Sequence, residues 1–212
     1  MISYFLLVLM IVSIGSHRGC VHDQIIKNQK LIPINDTLTS GRRLQTSEYG
    51  PIRFHMIYNT TDIDSSTSTG QLIMKMMNIL ELFWKKTIEV YYAPSLSFNV
   101  ATGIDRSYVQ CLNFIVPQSV INNPVENADY GILVEAKDDG KTGVTALSIP
   151  CAYSLTTKQP LWGLLHWNIY YFTFDLLAFQ MNIKIGIHES THLLGMSQIL
   201  YPQFQYGKVV TT

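Results

Sequence analysis

His188, Glu189 and His192 stand in the order H-E-x-x-H, a spacing that brings its groups together when the segment is helical. Residues four apart share a helical face with Cβ atoms about 5–6 Å apart, so both imidazoles can reach one tetrahedral Zn2+ while Glu189 lies beside the metal without being a ligand. Zinc lowers the pKa of the water it holds to roughly 7, and a neighbouring carboxylate takes the proton as that water attacks a peptide carbonyl. The chemistry implied is amide hydrolysis with Zn2+ as cofactor; the structural alternative is a pair of core histidines hydrogen-bonded to their surroundings. Upstream, residues 168–187 carry long apolar stretches (Ile169, Tyr170, Tyr171, Phe172, Phe174, then Leu176, Leu177, Ala178 and Phe179), no proline and one late glycine, Gly186. This composition predicts a buried helix that delivers the motif.

Gly195 refines the class, because H-E-x-x-H-x-x-G is the front half of the metzincin pattern, whose glycine lets the chain leave the helix in a conformation a side chain would obstruct. A catalytic zinc site needs three protein ligands plus water. Residues 193–212 contain no His, Asp, Glu or Cys. His166 or His55 is the upstream alternative for a third ligand, although their aromatic and apolar neighbours (Trp162 and Trp167, Phe54 and Met56) favour packing over ligation.

The chain has 212 residues, enough for one core or for a domain with an attached pro-segment. Its 15 basic and 15 acidic residues balance, which gives no reason to expect nucleic acid or an anionic partner. The N-terminus is more informative. Residues 4–12 are an uninterrupted apolar run of secretory length, followed by small residues at Ser13, Gly15 and Ser16, so residues 1–15 read as a signal peptide and the destination as the secretory pathway. No second apolar span follows. Asn35-Asp36-Thr37 and Asn59-Thr60-Thr61 are acceptable N-glycosylation sequons, in keeping with that route.

Three cysteines leave one thiol over in an oxidising compartment. Cys111 and Cys151, both in the body of the chain, are the expected pair. Cys20 then lies in residues 17–23, H-R-G-C-V-H-D, where a thiolate could cap a zinc ion and displace its water, or where the segment is merely a polar linker. Arg42-Arg43, in a small-residue context, is a candidate cleavage site that would make residues 16–43 a pro-segment and residues 44–212 the folded domain.

That domain reads as α+β. Residues 51–58 alternate well enough for a strand, and residues 60–69 are a polar loop. Leu72, Met76, Ile79, Leu80 and Phe83 recur at helical spacing, predicting an amphipathic helix over residues 71–92 that ends before Pro94. Short strands are expected at residues 96–100, 128–136, 143–150 and 161–167, separated by turn signals such as Asn122-Asn123-Pro124 and Lys137-Asp138-Asp139-Gly140. The plan is a small mixed sheet with two long helices, the second carrying the zinc motif.

The residues so assembled resemble the leishmanolysin family of zinc metallopeptidases, metzincins with a long insertion between the glycine and the third histidine. The likeness runs from His17 to about Phe204. It is carried by residues 17–23, similar to the family's H-R-C-x-H-D pro-segment motif with Gly19 as an extra residue; by Pro51-Ile52-Arg53; by residues 129–136; and by the H-E-S-T-H-L-L-G-M-S run at residues 188–197. The resemblance implies a metzincin-like N-terminal catalytic subdomain, His188 and His192 as zinc ligands, Glu189 as general base and Cys20 as a latency thiol. It implies protein or peptide substrates and a secreted or cell-surface protein with membrane and cell-adhesion associations. The family's third histidine and Met-turn would fall beyond Thr212, so the chain is expected to be the pro-segment and N-terminal half of a catalytic domain. The competing expectation is a non-catalytic secreted or surface protein that keeps the front half of the motif for binding or adhesion.

Overall fold

A computed structural model describes residues 30–35, 49–197 and Leu200. The N-terminal apolar run, Cys20 and Arg42-Arg43 lie outside the described residues. A five-stranded mixed sheet forms the frame. Its members are β1 (Ile32–Ile34), β3 (Phe54–Tyr58), β9 (Tyr130–Lys137), β10 (Ala146–Ser154) and β11 (Pro160–Asn168), in the spatial order β1-β10-β11-β9-β3. β3, β9 and β11 run parallel, β10 returns antiparallel to β11, and β1 lies parallel to β10 on its outer edge. β9 is buried over seven consecutive positions because both faces of the sheet are covered, which explains its unbroken apolar character.

One face is covered by the two long helices, α1 (Ser68–Thr87) and α3 (Leu176–Leu193), packing against Ile132, Val134, Leu165 and Trp167. The other face is covered by irregular chain between residues 95 and 128. That segment holds β5 (Ser95–Leu96), β6 (Gln110–Cys111), β7 (Phe114–Ile115), the short α2 (Gln118–Asn122) and β8 (Val125–Glu126). Its Leu96, Phe98, Val109 and Phe114 pack with Leu133, Trp162, Leu164 and Ile34. A disulfide joins Cys111 in this layer to Cys151 on β10, across 40 residues of sequence. The α+β architecture with two long helices is therefore the architecture read from the sequence.

Several boundaries differ. The first helix starts at Ser68, where the Thr67 hydroxyl accepts from the Gly70 amide, and it stops at Thr87 rather than reaching Tyr92. Residues 89–91 instead form β4 (Glu89–Tyr91), paired with β2 (Tyr49–Pro51), because Val90 and the flanking tyrosines favour a ladder once one is on offer. The inward stripe of α1 is Ile73, Met76, Met77, Leu80 and Trp84, so it is rotated from the one expected: Leu72, Ile79 and Phe83 flank it, half-buried. The larger correction concerns residues 168–175. Asn168 ends β11, residues 169–171 make a single 3-10 turn, and the helix begins only at Leu176, after Asp175. Nor are the start of this helix and the residues just ahead of it buried. Phe174, Leu176 and Leu177 are 65–72% exposed.

Candidate metal centre

The start of α3 is fixed by chemistry the apolar run conceals. Asp175 is the N-cap, its carboxylate accepting from the Ala178 amide at 2.9 Å. Eleven residues on, Gly186 lets the helix close on its neighbours: a Cβ there would stand 2.8 Å from Leu80 and 3.0 Å from Trp167. Trp84 on α1 donates from Nε1 to the Ser190 hydroxyl at 2.7 Å, and Tyr130 on β9 donates to the Leu193 carbonyl at 2.8 Å. Both bonds are buried, so the last two turns of α3 are held by α1 on one side and by the sheet on the other.

On this anchored segment His188 and His192 face one another, with ring centroids 4.9 Å apart and planes nearly perpendicular at 87°. Their Nε2 atoms are 3.3 Å apart. Two nitrogens bound tetrahedrally to one Zn2+ at roughly 2.0–2.1 Å are themselves about 3.3 Å apart, so the pair fits the ion. The orientation of His192 is set by the end of the helix. Gly195, at φ 127°, turns the chain so that its amide reaches the His192 carbonyl and the Met196 amide reaches the Thr191 carbonyl, the two bonds of a Schellman motif. That turn carries the Met196 carbonyl to 2.6 Å from His192 Nδ1. A carbonyl can only accept, so Nδ1 carries the proton and Nε2 presents its lone pair towards His188, the arrangement a metal-ligating histidine requires. Burial, and then the charge of His192, lowers the pKa of His188 and favours the neutral imidazole that a metal needs.

Glu189 points to the sheet. It is 7% exposed, and Ser148 on β10 holds it: the Ser148 amide donates to Oε2 at 3.0 Å, while the hydroxyl lies 3.0 Å from Oε2 and 2.7 Å from the Glu189 backbone carbonyl. The Asn168 amide bonds to Thr145, which aims alternate residues of β10 at β11, so Ser148 faces the other edge and has an amide to spare. The second oxygen, Oε1, lies 4.0 Å from His188 Nε2, on the side where the two imidazoles meet. Burial pushes the Glu189 carboxyl up to about 7, with the Ser148 bonds pulling the other way. A carboxylate near that value is poised to take and return a proton at neutral pH.

Ser148 escapes a reading of sequence because its role depends on a contact across 41 residues. If Glu189 serves as a base, Ser148 is the residue that would position it. Ser148→Ala removes one charge-assisted hydrogen bond and leaves the amide in place, so kcat on a peptide substrate should fall about tenfold with KM and zinc content unchanged. Ser148→Thr, which keeps the hydroxyl, should recover most of the loss. A purely structural role would instead lower the amount of folded protein in both variants.

The upstream candidates do not join the site. His166 lies on the sheet face away from α3, where Glu135 Oε1 is 3.0 Å from Nδ1 and Asp139 engages Nε2, so both nitrogens are spoken for. Burial lowers the pKa of His166, but the hydrogen bonds and charges of Glu135 and Asp139 outweigh it and raise the net value. His55 is on β3, at the far edge of the sheet from β10, edge-on to Trp162 with centroids 6.3 Å apart. Neither histidine lies beside His188 and His192, in keeping with the preference for packing over ligation at both positions. Among the described residues no group of three or more His, Cys, Asp or Glu side chains is arranged to hold a metal ion. Of the two sequons, Asn35 is exposed, whereas Asn59 is half-buried and donates from its amide nitrogen to Asp62 at 2.6 Å. No described helix is long and apolar enough to cross a membrane.

Comparison with protein families matches residues 57–212 to the leishmanolysin (peptidase M8) model. The chain belongs to the leishmanolysin family. The matched span is well over half of the sequence and contains α1, the central strands, the disulfide and the whole H-E-x-x-H-x-x-G segment. A comparison with curated proteins finds no match. Leishmanolysin is a family of metallopeptidases, so the likeness first seen in short motifs extends to the fold that presents them.

Proposed function

We propose that this leishmanolysin-family chain is a secreted or cell-surface zinc metalloendopeptidase, or the part of one that carries the motif helix. The observation that supports this best is the convergence of the His188 and His192 Nε2 atoms at 3.3 Å, with the buried Glu189 carboxylate beside them. His188 and His192 would hold the ion, and when bound the zinc supplies Lewis-acid activation of water and of the peptide carbonyl. Glu189 accepts the proton of the attacking water and returns it to the leaving amine. Ser148 keeps one carboxylate oxygen on the sheet so that the other remains turned towards the histidines. The Schellman turn at Gly195 fixes the His192 tautomer before any ligand arrives, which limits the reorganisation that binding requires.

A second reading is a non-catalytic binding or adhesion protein. It draws on the two motif histidines alone, since among the described residues no third ligand joins them. Chelation separates the two. Treatment of the natural polypeptide with a zinc chelator should abolish cleavage of extended peptides, and stoichiometric Zn2+ should restore it. A folded natural polypeptide that cleaves no peptide with zinc present would favour the binding protein.

A further inference from the structure

The strand β1 lies in the segment that the dibasic site would separate from the domain, yet it is built into the fold. Ile34 is fully buried against Leu96, Phe98, Val100 and Trp162. On one side residues 32–34 pair parallel with residues 152–154 of β10, and the Leu155 amide donates to the Ile34 carbonyl at 3.0 Å. On the other, the Ala101 amide donates to the Pro33 carbonyl at 2.9 Å and the Asn35 amide to the Asn99 carbonyl at 2.8 Å, around a bridge between Ile34 and Val100. Pro33, which has no N–H to give, directs its carbonyl to the side where pairing is a single bridge rather than a ladder. Residues 30–35 thus enter a slot between two parts of the domain and use backbone bonds on both of its walls. This is the way an extended peptide adds a strand to an open sheet edge, with one buried side chain supplying the selectivity.

We infer that the slot between β10 and residues 99–101 is a strand-binding site, and that residues 30–35 stay seated in it after the chain is cut at Arg42-Arg43. A cut there removes only the covalent link downstream of the strand. The backbone bonds and the buried Ile34 remain, so a single scission leaves a two-piece protein in which everything N-terminal to Lys30, Cys20 included, is still tethered to the domain. Release of Cys20 then needs a second event: a cut upstream of the strand, which leaves the slot filled, or displacement of the strand by another extended chain. The inference concerns retention of a strand and does not depend on catalysis.

The test replaces residues 41–44 of the full chain with a recognition sequence for a site-specific protease, cuts the folded protein, and confirms the cut on a denaturing gel. Native size exclusion followed by mass spectrometry should find the N-terminal piece in equal amount with the domain, and the Ala101 and Leu155 amides should keep their protection from hydrogen exchange. Separation of the two pieces with loss of protection at those amides overturns the proposal. Because Ile34→Asp could prevent folding before any cut, displacement is read on the wild-type sequence. A labelled synthetic peptide of residues 30–35 should exchange into the cut protein, whereas one with Asp in place of Ile34 should not. Equal uptake of both peptides also contradicts a slot that recognises the buried isoleucine.

Discussion

Glu189→Gln should lower kcat by about 10³-fold and leave the zinc content of the protein unchanged, the size expected when a positioned general base is removed. The substitution is nearly isosteric and keeps an oxygen that can accept from the Ser148 amide, now 3.0 Å from Oε2, so the helix and the two imidazoles have no reason to move. What it removes is the group proposed to take the proton. Burial has already brought the Glu189 carboxyl up to about 7, so the wild-type side chain both binds and releases a proton near neutrality, which an amide cannot do. Steady-state kinetics on a quenched peptide, beside metal analysis of the same samples, measures both halves of the expectation. Undiminished activity in the variant would remove Glu189 from the mechanism.

Trp162→Ala should cost about 3–5 kcal/mol of stability and lower Tm by roughly 10 °C in a protein of this size. Trp162 is fully buried on β11 and packs at 5.2 Å centroid distance on Phe98, with its Nε1 donating to the Ser97 carbonyl at 3.1 Å. It also fills the space over Gly131 of β9, where an added Cβ would fall 2.0 Å from its ring. The one residue therefore ties β9, β11 and the irregular layer together, and its truncation opens a cavity that none of these rigid neighbours can close. Differential scanning calorimetry reads the loss directly. A shift of only a degree or two would mean that the irregular layer collapses into the gap.

The two expected effects fall on opposite sides of what the sequence discloses. The metal motif is legible because its four-residue spacing carries its own geometry: once residues 188–192 are helical, the imidazoles must share a face. Gly195 is legible for the same reason, as a local rule about leaving a helix, and the structure adds what the glycine achieves, a Met196 carbonyl placed on His192 Nδ1. That contact comes from backbone and leaves no mark in residue type. Ser148 and Trp84 act through bonds across 41 and 106 residues, and neither has a periodicity to betray it. The helix start was readable and is hidden only by company: Asp175 stands ahead of Leu176 and Leu177 as an N-cap should, but the aromatic run before it suggests one longer helix. β1 is the opposite case. Three residues containing a proline, in an otherwise polar segment, make no strand signal, and only the slot between β10 and residues 99–101 makes them one.

The most direct measurement is the zinc-to-protein ratio of the natural polypeptide, determined by mass spectrometry of the metal, beside the same ratio for His188→Ala and His192→Ala. One zinc per chain in the wild type, lost in each variant while the fold survives by circular dichroism, is the result this account predicts. Zinc retained in both variants, or absent from a folded wild type supplied with the metal, would contradict it.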